Sequence, residues 1–383
     1  MIDINVINEL IDWMVDGARP SADASQIVDA VCATLVKAGI PVDRFALFIY
    51  TIDPNILGRR FRWTPEEGAE ATTANLGLFS TAEYTANPLP KVVEQRVSVR
   101  RKLCDPSSPN DYKIIPELIA EGFTDYLVQP IIYTTGETNA VSWSSKAPGG
   151  FSDEAIAILD RVNKPLARLT ETYLLRLNAA TILSAYVGRN SGDQILRGKV
   201  HRGDGEQIDA AILFTDLVDF TAMSDALDGP QTVAILNDVF DLMVPPVADH
   251  GGEILKFLGD GFFAIFPYEG EAALEQSVLA SSKAVASAEV ALARSSLGDM
   301  VKFRSAIHAG RFHYGNVGGA NRLDFTAIGR PVNYAARLLQ AGNTLACGRV
   351  ASDLAADHLG DAARLVGNVE FKGFEGRQLI YTY

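Results

Sequence analysis

From Asp209 to Thr215 the chain reads DAAILFT, an almost unbroken apolar run that stops at Asp216. Such a run, without the polar alternation of a half-exposed strand, predicts a strand buried on both faces. A carboxylate at its end is fixed by the sheet yet reaches solvent. Further on, GGEILKFLGDGFFAIFP predicts two strands joined through Gly259-Asp260-Gly261, a hairpin turn signal that sets a second carboxylate at a strand end. If these strands are neighbours, Asp216 and Asp260 lie together and can hold two Mg²⁺ ions about 3.5–4 Å apart, the arrangement that clamps attacking and leaving oxygens in phosphoryl chemistry. The spacing alone leaves another account open, in which Asp216 caps the next helix and Asp260 only serves the turn.

A chain of 383 residues is longer than one core usually grows, so two domains and a connector are expected. With 48% hydrophobic and 21% charged residues, each half can bury a core. The net charge of -13 excludes a general nucleic-acid binder, which needs a surplus of Lys and Arg. No stretch approaches the ~20 apolar residues of a membrane helix, and the start MIDINVINELIDWMVDG has acids where a signal peptide has basic residues. The expectation is a soluble, cytoplasmic protein without membrane insertion. Cys32, Cys104 and Cys347 are scattered and odd in number, so they are read as reduced thiols.

The first half mixes both periodicities. Asn8 to Met14 and Ser25 to Ala38 are amphipathic, whereas Phe45 to Ile52, Arg60 to Thr64, Tyr126 to Tyr133 and Asn139 to Ser145 are strand-like. Ser152 then reads as the N-cap of a long helix with Asp153 and Glu154 in its first turn. The stretch YLVQPIIYTTGETNAVSWSSKAPGGFSDEAIAILDRV resembles the closing strand pair and helix of GAF-type sensor domains, which implies a GAF-like α+β domain over 1–178 with an unknown sensory ligand. The Asn-Lys-Phe-Asp-Glu signature of cyclic-nucleotide-binding GAF domains is absent, so no ligand follows from the resemblance. An unrelated α+β domain serving only to dimerise is the alternative. Between the halves, AATILSAYVGRNSGDQILRGKVHRGDGEQIDAAILFTDL joins a helical stretch to a Gly-rich turn and a strand, and its part 179–206 reads as a helical transducer linker.

The second half, 207–383, carries four ordered motifs: FTDLVDFT with LKFLGDG, AIHAGRFHYGNVGG, TAIGRPVNYAARL and FKGFEGRQLIYTY. Together they resemble the catalytic domain of class III adenylate and guanylate cyclases. The resemblance makes Asp216, Asp260 and the backbone carbonyl of Leu217 the ligands of two Mg²⁺ or Mn²⁺ ions. It makes Lys256 the adenine reader, and an ammonium suits that role because it donates to adenine N1, whereas guanine carries a hydrogen there. Thr326 stands where many relatives have Asp as the second base reader, which resembles the bicarbonate-responsive branch and relaxes selectivity. Pro331 is a good first helical residue, so Asn333 and Arg337 share one helix face at i and i+4. The resemblance makes Asn333 the ribose-orienting group and Arg337 the cation over the phosphorane. Arg311, placed after an Ala309-Gly310 turn, and Lys372 fall at positions resembling triphosphate contacts. Arg330 stands where relatives often have an acid, Asp219 reads as a helix N-cap, and His308 and His313 read as structural residues flanking a tight turn.

The implied fold is a ferredoxin-like βαββαβ sheet with helices on one face, including a helix from Gln231 to Asp249 that buries Val233, Leu236, Phe240, Met243 and Val247 and is kinked or ended by Pro245-Pro246. The implied function is an adenylate cyclase, a phosphorus-oxygen lyase that converts ATP to 3′,5′-cyclic AMP and pyrophosphate. Lys256 and Asp260 lie roughly 13 Å apart along an extended strand, too far for one chain to aim both at one nucleotide. The family resolves this with a two-fold homodimer in which one chain supplies Asp216 and Asp260 and the other Lys256, Thr326, Asn333 and Arg337. A guanylate or mixed-specificity cyclase and a non-catalytic nucleotide-sensing module are the alternatives.

Overall fold

The computed structural model describes residues 1–21 and 23–383, which form two compact units, Met1–Ile182 and Leu183–Tyr383. In the first, β1 (Arg44–Tyr50), β2 (Ile56–Thr64), β3 (Gly68–Asn75), β4 (Val99–Lys102), β5 (Asp125–Ile132) and β6 (Thr138–Ser145) form an antiparallel sheet in the order β3-β2-β1-β6-β5-β4. The four expected strands are present; β3 and β4 are additional, because GAEATTAN and VRRK lack an apolar run. One sheet face buries Phe45, Leu47, Phe61, Trp63 and Trp143 against the helices Ile4–Val15, Ala24–Lys37 and the start of Asp153–Val187. The other carries a smaller core around Val92, Leu118, Tyr126 and Val128. Ser152 caps the long helix, its hydroxyl accepting from the Ala155 amide at 3.1 Å.

In the second unit, β7 (Gly205–Leu217), β8 (Glu253–Leu258), β9 (Gly261–Pro267) and β10 (Phe303–Gly319) lie side by side as β10-β7-β9-β8, every pair antiparallel. This is the ferredoxin-like order. The sheet is extended by β12 (Arg349–Ser352), β14 (Arg377–Thr382) and β13 (Arg364–Glu370), while β11 (Arg322–Ile328) folds back on the far end of β10.

Its helices cover both faces, not one. Ala211 and Leu213 of β7 pack with Val239, Met243, Val278 and Val285 from the helices Gly229–Asp249 and Leu274–Arg294. Ala210, Ile212 and Phe214, pointing the other way, pack with Phe312 and with Ala335 of the helix Arg330–Thr344. Burial on both sides explains why DAAILFT is continuously apolar. The helix begun by Asp228 runs through Pro245 and Pro246 to Asp249 and is not ended by them, and Val233 is 56% exposed where burial was expected. No helix among the described residues is long and apolar enough to cross a membrane, and the three cysteines are free.

Candidate active site

The two carboxylates meet as the strand ends require. Asp216 is next to last in β7, and Asp260 lies in the turn between β8 and β9. Gly259, at φ +66°, takes the left-handed conformation of that turn. Gly261 brings the hairpin onto β7: a Cβ there would lie 1.9 Å from the Thr215 carbonyl oxygen, so only glycine permits this approach. The Thr215 hydroxyl accepts from the Phe262 amide at 3.1 Å and fixes the join. Burial, and next the nearby Asp260 charge, raise the Asp216 carboxyl above its ordinary value, while Arg304 opposes them. Two mutually repelling carboxylates beside the Leu217 carbonyl are a hard-oxygen donor set of the kind Mg²⁺ and Mn²⁺ take, so these residues fit divalent ions.

Arg304 was not singled out in the sequence. On β10 it stands directly across from Asp216, and its Nε is buried without a hydrogen-bond partner. Arg311 stands elsewhere. There is no turn at Ala309-Gly310, since β10 runs unbroken through both; Arg311 is paired across from Asp209, seven register positions and roughly 24 Å from Arg304. Its guanidinium makes a bidentate ion pair with Asp209 at 2.7–3.2 Å, which holds the Asp209 carboxyl below its usual value. The turn of this segment lies at Ala320-Asn321, between β10 and β11. Asp219 occupies the N-cap position of Phe220–Asp225, but in a left-handed backbone and with no capping hydrogen bond.

A second group surrounds a cavity of about 630 Å³ lined by Asn333, Arg337, Lys372, Arg330 and Phe374, among others. Asn333 and Arg337 project from the exposed side of the helix whose other side buries Tyr334, Ala335 and Leu338. Among the described residues neither Arg337 nor Lys372 has an ion-pair partner. Arg330 lays its guanidinium over the Phe374 ring at 4.9 Å, a cation–π contact that accounts for a cation at this position. Neither Asp216 nor Asp260 lines this cavity.

The third group is Lys256, on β8, with its ammonium 2.5 Å from Asp324 of β11, a residue the sequence reading passed over. Thr326 is two residues further along β11. Among the histidines, His308 is partly buried: its Nδ1 is 2.8 Å from the Ser352 hydroxyl, its ring stacks on Tyr334 at 4.3 Å, and desolvation lowers its pKa to about 4. His308 and His313 both lie within β10, without a turn between them.

Residues 205–382 match the family described as Adenylate and Guanylate cyclase catalytic domain. Adenylate cyclase 1 of Rhizobium meliloti is 36% identical over 131 residues, covering 33% of this chain and 20% of the relative. An uncharacterized protein of Mycobacterium tuberculosis is 32% identical over 163 residues, covering 42% and 29%. The chain thus spans a third or less of the length of these curated relatives. Among solved structures, the adenylyl cyclase CyaB from P. aeruginosa is similar at 25% identity and a TM-score of 0.42, over 46% of this chain and 94% of that one. The guanylyl cyclase Cya2 is similar at 24% identity and a TM-score of 0.40, over 46% and 92%. Residues 205–382 thus match the adenylate and guanylate cyclase catalytic domain, and within them the motif carboxylates are brought together at the strand ends.

Proposed function

We propose that this domain converts ATP to 3′,5′-cyclic AMP and pyrophosphate at sites shared between two copies of the chain, and that residues 1–178 regulate it in response to a ligand. The observation that carries the ATP reading is Lys256, an exposed ammonium at the adenine-reading position of the motif. Its donors suit N1 of adenine and oppose N1–H of guanine.

Sharing between copies is supported by how one copy distributes its groups. Asp216, Asp260 and Arg304 form one group, and Asn333, Arg337 and Lys372 line a cavity that excludes both carboxylates. Phe257 and Leu258 beside Lys256 are 51% and 44% exposed, and Leu323 and Ile328 on β11 are 39% and 47% exposed, apolar surface that a second copy would cover.

Asp216, Asp260 and the Leu217 carbonyl would hold two divalent ions, which when bound supply Lewis acidity toward the ribose 3′-hydroxyl and the phosphate oxygens. Asn333 orients the ribose so that its 3′-oxygen lies in line with the α-phosphorus. The bond from that oxygen to phosphorus forms as the bond from the α-phosphorus to the β-phosphate oxygen breaks, the 3′-hydroxyl proton passing to water and the pyrophosphate leaving with the bonding electrons. Arg337 donates to the equatorial oxygens as charge builds there. Lys372 from one copy and Arg304 from the other neutralise the departing pyrophosphate; Arg304 replaces Arg311 in this role because it is the cation beside Asp216.

The test is turnover of ATP against GTP by the full chain with Mg²⁺ and with Mn²⁺, repeated for Lys256→Glu. ATP turnover should fall on the order of 10²-fold or more in the variant. Near-wild-type ATP turnover would remove Lys256 from base recognition, and a wild-type preference for GTP would make the domain a guanylate cyclase.

A further inference from the structure

The position where many relatives carry an acid for base reading is Thr326 here, yet a carboxylate still faces Lys256. Asp324 comes from a different hairpin: β11 pairs with β10, whereas Lys256 is on β8, and the two side chains meet at 2.5 Å. The register of β11 makes this placement firm. Phe325 is buried and packs edge-on against Tyr314 at 4.7 Å, so Asp324 and Thr326, on either side of it, both point away from that core. Both members of the ion pair are about half exposed, at 45% and 55%, and so are open to a ligand.

We propose that Asp324 is the second base-reading residue, restoring the purine discrimination that Thr326 relaxes. This rests on the cyclase reading of the same site. An ammonium has three donors; with one given to Asp324, two remain, and one of them can reach adenine N1. The carboxylate has lone pairs to spare and accepts from the adenine 6-amino group, which is adjacent to N1. The pair therefore presents a donor and an acceptor side by side, in the order adenine needs. Guanine reverses both partners, setting N1–H against the ammonium and O6 against the carboxylate, so it is mismatched twice.

The experiment uses the full chain with Asp324→Ala and Asp324→Asn, and three substrates: ATP, GTP and purine riboside 5′-triphosphate, which lacks the 6-amino group. In wild type, ATP should exceed purine riboside triphosphate in kcat/KM by tenfold or more. In Asp324→Ala the two should become equal, because the amino group has lost its acceptor, with the loss appearing mainly in KM. Asp324→Asn, whose amide can donate to O6, should lower the ATP-to-GTP ratio at least tenfold. Equal losses on ATP and purine riboside triphosphate would show that Asp324 only tethers Lys256 and would overturn the inference, as would unchanged selectivity. If wild type turns over none of the three, the cyclase reading itself fails and the inference goes with it. Melting temperatures within a few degrees of wild type certify that the variants fold.

Discussion

If each catalytic site takes its carboxylates from one copy and its ribose and phosphorane groups from the other, two individually dead variants should rescue each other. Asp216→Ala removes a ligand from the carboxylate group, and Arg337→Ala removes the exposed guanidinium from the 630 Å³ cavity, which neither Asp216 nor Asp260 lines. A dimer of either variant alone has two sites, each lacking one essential group. A mixed dimer has one site missing both groups and one missing neither. Random assortment makes about half of all dimers mixed, and each works at one of two sites, so co-expressed variants should recover roughly a quarter of wild-type activity. The measurement is cyclic AMP production by co-expressed, differently tagged variants after tandem purification, alongside each variant purified alone. Tandem purification enriches mixed dimers, which should then approach half of wild type. Mixed dimers that stay as inactive as the single variants would show that one copy builds its whole site, and the distribution of groups described above would need another explanation.

Arg304→Ala should lower turnover about 10²-fold, the scale of losing one charged contact to the transition state, whereas Arg311→Ala should break only an exposed, solvent-screened ion pair with Asp209 and leave turnover near wild type; steady-state kinetics of both variants decide between the two arginines. Gly261→Ala should cost about 3 kcal/mol and abolish activity, since its Cβ would lie 1.9 Å from the Thr215 carbonyl oxygen and force the hairpin off β7; thermal melting with a cyclase assay reads both effects. The partly buried His308 ring, with its pKa lowered from 6.5 to about 4, stays neutral in the fold between those values while the unfolded chain binds a proton. Its contribution to stability is therefore present above about pH 6.5 and is lost as pH falls toward 4, by about 3 kcal/mol in all. Urea unfolding at pH 7 and pH 4.5 should show that loss in wild type and a smaller one in His308→Gln.

The readings that rested on strong local patterns agree with the structure. DAAILFT is a strand covered on both faces, and Gly259-Asp260-Gly261 turns between β8 and β9 so that Asp260 meets Asp216. What a linear reading could not supply was pairing. AIHAGRFHYGN has the glycine of a turn but is the middle of a seventeen-residue strand, because Gly310 serves packing: a Cβ there would lie 2.6 Å from Pro331. A turn read at Ala309-Gly310 points to Arg311, whereas Arg304 shows its place across from Asp216 only once β10 is laid against β7 in register. Asp324 was hidden for a related reason, since sixty-eight residues separate it from Lys256 and only the fold-back of β11 joins them. The prolines at 245 and 246 marked a helix end by local rules; tertiary packing around Met243, Pro246 and Val247 keeps the helix going.

The length of β10 has a mechanical consequence. One end presents Arg304 beside the carboxylates, and the other pairs with β11 and so carries Asp324 and Thr326, with Arg304 and Gly315 some 37 Å apart along the strand. A hydrogen-bonded strand does not stretch. In the proposed dimer, where these two parts of β10 would serve opposite sites, the strand would tie them together: a rotation of one copy against the other that moved Arg304 from one triphosphate would move Asp324 relative to the other purine as well. The two sites would then open and close as one, and regulation would need to set only the angle between the copies.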